Sequence, residues 1–151
     1  MRVFPPRGFR PRLLILLACM SPFALGCGDG RKPVFPVEGQ VLVDGKPAAR
    51  AVVTLHPVGD TSPTAIHPVG HVDDSGKFTL TSYREADGAP EGDYAATVTW
   101  FRATRISSHG DDYVSKNYLP QRYAQAETAQ LHVRVSRAGP NNLEPFQLRT
   151  R

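Results

Sequence analysis

The chain has 151 residues, of which 18 are Lys or Arg and 14 are Asp or Glu. Four of the basic residues and none of the acidic ones precede residue 27, so residues 27–151 carry fourteen charges of each sign. This balance excludes the strongly basic surface that nucleic-acid binding requires.

The amino-terminal segment has the pattern of an export signal. Arg2, Arg7, Arg10 and Arg12 form a positive region without an acid, and the apolar run Leu13–Gly26 follows. A charged start before a short apolar run is typical of a secretory signal peptide. A membrane-spanning helix needs about 20 apolar residues, more than this run contains. Residues 1–26 are therefore predicted to be a signal peptide.

The end of that run resembles the lipobox of bacterial lipoprotein precursors. The residues are Ala24-Leu25-Gly26-Cys27. Leu16-Leu17-Ala18-Cys19 matches the lipobox pattern more closely. Cleavage before Cys19 would leave an apolar run of only six residues after Arg12, which is shorter than a signal peptide usually has. The resemblance implies that Cys27 is the lipid attachment site, carrying fatty acids such as palmitate. It also implies an exported protein held on a bacterial membrane, at its periplasmic or cell-surface side.

Residues 27–36 are rich in Gly, Pro and charge, which predicts a flexible tether. With Cys19 in the removed segment and Cys27 modified, the folded part has no thiol for redox chemistry or thiolate metal binding.

Residues 37–151 are predicted to form one domain of short strands. Val37–Val43 alternates apolar and polar residues and is followed by the turn pair Asp44-Gly45. Further alternating segments cover 51–56, 77–82, 93–102 and 131–136, with a last strand around Phe146 and Leu148. A turn at Asp73–Gly76 directly precedes the segment 77–82. Six or seven short strands separated by Gly and Pro favour an all-β, antiparallel β-sandwich.

Several of these segments resemble one family. "VEGQVLVDGKPAARAVVTLHP", "VDDSGKFTLTS" and "DGAPEGDYAATVTW" are similar to the successive signatures of the carboxypeptidase-regulatory-like, transthyretin-like domains of small bacterial lipoproteins. The resemblance implies an antiparallel seven-stranded, prealbumin or Ig-like β-sandwich without enzymatic activity or cofactor. The enzymatic hydroxyisourate hydrolases of this fold end in Tyr-Arg-Gly-Ser, whereas this chain ends Leu148-Arg149-Thr150-Arg151.

Three histidines lie close together in the sequence. His-Pro-Val-Gly occurs at 56–59 and again at 67–70, and His71 follows. Pro at the second position and Gly at the fourth favour a type I turn, so both copies are predicted to be bends. The alternative is a metal site formed by His56, His67 and His71, if a turn at Pro68 brings the last two together. Asp73 and Asp74 are predicted to cap a turn rather than to bind calcium.

Residues 103–128 are predicted to be a long connection without a periodic element, and such connections are often functional. Trp100, Arg102, Tyr113 and Tyr118 are the candidate binding residues, because aromatic rings with polar neighbours can stack on a sugar or hold a peptide. The alternative is that Leu119 and the residues after it only cover the open end of the sandwich.

Two functional hypotheses follow. The first is a lipid-anchored, non-catalytic interaction or structural module that contacts membrane lipid through Cys27 and an envelope protein or glycan through its loops. The second is a metal-dependent hydrolase that uses the histidines, or a glycan-binding module that uses residues 103–128. We expect the first, with no metal and no nucleic acid bound.

Overall fold

The computed structural model describes Met1, residues 30–105 and residues 113–151. The rest of the predicted signal peptide, Cys27 and the start of the tether lie outside the described residues. The chain divides into two compact units, Met1–Arg31 and Lys32–Arg151, and every described strand lies in the second. These strands are β1 (Val34–Phe35), β2 (Val37–Val43), β3 (Lys46–Pro47), β4 (Val52–Pro57), β5 (Val69–His71), β6 (Lys77–Thr81), β7 (Ala89–Pro90), β8 (Gly92–Thr99), β9 (Phe101–Arg105), β10 (Tyr113–Asn117), β11 (Leu131–Val135), β12 (Asn141–Asn142) and β13 (Phe146–Leu148).

The main sheet is mostly antiparallel and curls into a half-barrel. Its order is β11, β8, β4, β5, β6, β2 and β12, with β3 and β13 also paired to β2. The prediction of an all-β protein is therefore confirmed. The pairings of β12 and β13 with β2 are parallel, whereas an antiparallel sandwich was predicted. The path from β2 through β6, β5, β4 and β8 to β11 contains five antiparallel pairings, so β11 runs in the direction opposite to β2. The chain reverses after β11, and β12 and β13 therefore run parallel to β2.

The core is built by the predicted alternation. In β6, Phe78 and Leu80 are buried while Lys77 and Thr79 are exposed. Val133 and Val135 are buried in the same way along β11. Successive side chains of a strand point to opposite faces, so each strand contributes one apolar face to the interior. The remaining core residues include Val37, Val41, Val43, Val53, Leu55, Tyr94, Val98, Phe146 and Leu148.

One core ring lies directly over two glycines. Phe78 is the cross-strand partner of Gly39. A Cβ atom at Gly39 would lie 2.5 Å from the Phe78 Cζ atom, and one at Gly70 would lie 2.8 Å from its Cδ2 atom. Phe78 also stacks on Phe146, with ring centroids 6.1 Å apart. The ring therefore fills space that side chains at positions 39 and 70 would otherwise occupy.

Both predicted acidic turns are present. Asp44 and Gly45 have φ of 50° and 77°, the left-handed conformation that a tight hairpin turn needs. In the second turn, the Oδ1 atom of Asp73 accepts hydrogen bonds from the Ser75 amide at 2.8 Å, the Ser75 hydroxyl at 2.7 Å and the Lys77 amide at 2.9 Å. These bonds, led by that of the Ser75 hydroxyl, lower the pKa of Asp73. This confirms that Asp73 caps a turn.

The region after β8 differs from its prediction. The expected strand 93–102 is interrupted at Trp100, and β9 and β10 form a separate two-stranded sheet. The expectation that residues 103–128 lack a periodic element is wrong, because they contain most of this hairpin and a 3₁₀ helix, Gln121–Ala124. All residues of the hairpin whose burial is described are exposed or half-buried. Those residues therefore lack the alternation of buried and exposed positions that identifies the core strands.

The two His-Pro-Val-Gly copies have different structures. In the first, His56 and Pro57 end β4, and the turn lies at Val58 and Gly59. In the second, Pro68 is buried, and Val69 and Gly70 belong to β5. The prediction of a bend at the second copy is wrong, since pairing of β5 with both β4 and β6 overrides the local preference.

Candidate functional site

The histidines form a pair rather than a cluster of three. The ring centroids of His56 and His67 are 5.1 Å apart, at an interplanar angle of 63°. His71 instead pairs with Val52 at the far end of β4 and lines a different depression, beside Asp73 and Lys77. Within residues 30–105 and 113–151, no group of three or more His, Cys, Asp or Glu side chains is placed to hold a metal ion.

Hydrogen bonding restricts what His56 can do. The Thr97 hydroxyl lies 3.0 Å from the His56 Nε2 atom and 3.4 Å from the Thr54 carbonyl oxygen. Because a hydroxyl has one proton, it donates to one of these two atoms at a time, and Nε2 is the donor to Thr97 whenever the hydroxyl donates to Thr54. Burial, and secondly the charge of His67, lower the pKa of His56, while Glu127 opposes them. His56 and His67 line an open depression of about 400 Å³ with Asp60 and Glu127.

This depression does not have the chemistry of a catalytic zinc centre. Such a centre needs three protein ligands and an open position. The structure brings together two imidazoles, and the Nε2 atom of His56 is already hydrogen-bonded to Thr97. The pair is better described as an edge-to-face aromatic contact at the end of β4.

A second cluster lies at the base of the hairpin and contains three of the predicted binding residues. We call Trp100, Arg102 and Tyr118 the Trp–Arg–Tyr stack. The Arg102 guanidinium carbon lies 4.9 Å from the Trp100 ring centroid and 5.5 Å from that of Tyr118. The two rings are 6.4 Å apart and inclined at 61°. A guanidinium within about 6 Å of an aromatic centroid is attracted by the ring quadrupole.

The stack is held in place by hydrogen bonds to its backbone and to the Trp100 indole. The indole Nε1 atom donates to the Ala49 carbonyl at 2.9 Å, and the Tyr118 amide donates to the Trp100 carbonyl at 2.9 Å. The Oδ1 atom of Asn117 accepts from the Trp100 amide at 3.0 Å and from the Leu119 amide at 3.1 Å. Asn117 therefore ties both strands of the hairpin at their base.

The fourth predicted residue, Tyr113, is further along the hairpin. Its backbone pairs with Arg105, three register positions beyond the pair of Lys116 with Arg102. Lys116 and Asn117 were not predicted from the sequence to belong to this site. The period-two spacing of Lys116 and Tyr118 is the signal that could have identified Lys116 as a neighbour of the stack.

The hairpin and the point where the chain enters the domain lie at opposite ends of β8. Val34 pairs with Pro90, just before β8 begins, whereas the hairpin starts just after β8 ends at Thr99. Near the entry point, the Lys32 ammonium contacts the Asp60 carboxylate at 3.2 Å. Eight strand residues span about 23 Å at about 3.3 Å per residue, which separates these two ends.

Comparisons with known proteins identify no family. No family model matches the chain, and no curated protein matches it. Among solved structures, a 9R-lipoxygenase from Cyanothece matches with a TM-score of 0.39 and 15% identity over 77% of this chain. The matched region spans 16% of that protein, and a likeness of this size supports no conclusion about fold or activity. In the part of the chain that the structure describes, no helix is long and apolar enough to span a membrane.

Proposed function

We propose that this chain is an exported bacterial lipoprotein, anchored through Cys27, whose β-sandwich is a non-catalytic interaction module of the cell envelope. The signal-like segment 1–26 and the lipobox-like residues before Cys27 support the anchor. Two or more acyl chains give stable membrane attachment where one is marginal. The tether would then connect the lipid to the domain.

The finer fold in this proposal is a seven-stranded, transthyretin-like sandwich. Apart from the hairpin, seven strands have three or more residues, namely β2, β4, β5, β6, β8, β11 and β13. The three-residue strand β5 joins the β4 and β6 sides of the curled sheet. This number of strands and their mostly antiparallel order support the resemblance seen in the sequence.

The observation that carries the interaction role is the position of the Trp–Arg–Tyr stack. Aromatic and Arg side chains are enriched at binding interfaces. The stack stands on an exposed hairpin, at the end of the domain opposite to the entry at Lys32. A domain anchored through residues before Lys32 would therefore present this hairpin away from its own attachment point.

The anchor is tested by replacing Cys27 with Ser and following fatty-acid labelling and membrane fractionation, with Cys19→Ser as the matched control. We expect the Cys27 variant to lose both the label and the membrane fraction, and the Cys19 variant to keep both. A Cys27→Ser protein that stays labelled and membrane-bound would refute the anchor.

The interaction role is tested with a photo-crosslinking residue at Phe101, which is 55% exposed, and at Val58, which is 64% exposed near the chain entry. We expect a discrete adduct in cells from position 101 and none from position 58. Adducts from position 58 alone would refute the role of the hairpin.

A further inference from the structure

The Trp–Arg–Tyr stack presents a guanidinium rather than an open aromatic face. Trp100 packs against the core on one side, and Arg102 lies over its ring. A sugar would need such a face free in order to stack on it. A guanidinium held by rings keeps its outward N–H groups in a fixed plane, which matches a carboxylate through two parallel hydrogen bonds.

The two strands of the hairpin carry basic residues and no acidic ones. Residues 100–105 and 113–118 contain Arg102, Arg105 and Lys116 but no Asp or Glu, whereas Asp111 and Asp112 belong to the connecting segment, which lies outside the described residues. Arg102 and Lys116 are direct cross-strand partners, and like charges in that position are destabilising. Neither side chain forms an ion pair within the described part of the chain. An incoming carboxylate would therefore remove a repulsion as well as gain a contact.

The backbone of the hairpin is also open to pairing. Within the described residues, β9 and β10 pair only with each other, so each has one edge without a partner strand. Such an edge can accept an extended peptide as an additional strand, with main-chain hydrogen bonds supplying affinity. A second copy of this hairpin is disfavoured as the occupant, because it would bring further positive charge beside Arg102 and Lys116.

We propose that the hairpin β9–β10 binds an acidic, extended polypeptide segment, which adds as a third strand and places a carboxylate on Arg102. A strand added beside either β9 or β10 puts one of its side chains in the cross-strand row of Arg102 and Lys116. Acidic residues at alternate positions of the ligand then face this basic row, because side chains alternate along a strand. The inference rests on the proposed interaction role and names the class of partner.

Trp100 is the only tryptophan of the chain and serves as the reporter. The full chain, purified in an uncharged detergent, is titrated with a blocked heptapeptide of alternating Glu and Thr, and Trp100 fluorescence is followed. Three control ligands are used. The first is a heptapeptide in which Lys replaces each Glu, the second is the Glu and Thr peptide with alternate backbone amides N-methylated, and the third is polyacrylate, which has carboxylates but no peptide backbone. We expect a saturable change with the first peptide and at least about tenfold weaker binding of each control, since both the carboxylates and the main-chain hydrogen bonds are needed.

The matched variants are Arg102→Gln, Arg102→Lys and Arg134→Gln. Arg134 is also exposed but lies on β11, beside Asp93 and away from the hairpin. We expect Arg102→Gln to weaken peptide binding at least about tenfold through loss of a charge-assisted bond, Arg102→Lys to lie between it and the unchanged chain, and Arg134→Gln to bind normally. Circular dichroism checks that each variant is folded.

Three results would overturn the proposal. They are absence of a saturable signal up to about 1 mM peptide, unchanged binding by Arg102→Gln, and equal binding of polyacrylate or the N-methylated peptide. The titration does not depend on acylation, so its failure is distinct from failure of the anchor at Cys27.

Discussion

Replacing Asn117 with Ala should loosen the base of the hairpin. Its Oδ1 atom accepts two backbone hydrogen bonds, from Trp100 at 3.0 Å and from Leu119 at 3.1 Å. Each such bond contributes about 0.5–1.5 kcal/mol net, so the variant should lose about 1–3 kcal/mol of unfolding free energy. The loss includes the cost of leaving two half-buried amides without their acceptor.

Urea unfolding, followed by Trp100 fluorescence and by circular dichroism, measures this loss. A slope of about 2 kcal/mol per molar urea would convert the loss into a midpoint shift of about 1 M. We also expect Trp100 emission to move to longer wavelength before unfolding begins, because the backbone amide that positions the indole has lost its acceptor. Asn142→Ala is the control, since Asn142 is exposed at the far side of β2. If both variants unfold at the same urea concentration with unchanged emission, the reasoning about Asn117 fails.

Two further predictions concern the core and the histidine pair. Gly39→Ala should destabilise the domain by about 1–3 kcal/mol, because the new Cβ atom overlaps the Phe78 ring. Calorimetry measures the melting temperature, and an unchanged melting temperature would contradict this prediction. For His56, the folded-state pKa lies below 6.5, so protonation favours the unfolded chain and stability should fall as the pH drops below about 6.5. His56→Gln should reduce this loss between about pH 7.5 and about pH 5, and a pH profile identical to that of the unchanged chain would contradict the shift.

The parts of the fold that were predicted from sequence are those where burial is one-sided. Phe78 and Leu80 in β6, or Val133 and Val135 in β11, alternate with exposed residues, and this period is visible without a structure. The Asp44-Gly45 turn was predictable for a related reason, since its left-handed backbone restricts which residues fit.

The parts that were missed depend on contacts far apart in sequence. None of the hairpin residues whose burial is described is buried, so these strands show no alternation of buried and exposed residues. The two His-Pro-Val-Gly copies are identical locally and differ because the second lies between β4 and β6. His67 approaches His56, eleven positions away, through the loop that joins β4 to β5, and no spacing rule identifies such a pair.

The ring of Phe78 makes three positions of the chain interdependent. Because it occupies the space of two missing side chains, positions 39, 70 and 78 constitute a single volume shared among three strands. A change at one of them is tolerated only with a compensating change at another, as expected for residues in direct contact. In diverged sequences of this fold, we therefore expect glycine at 39 and 70 to be inherited together with an aromatic residue at 78, and a smaller residue at 78 to accompany alanine at 39.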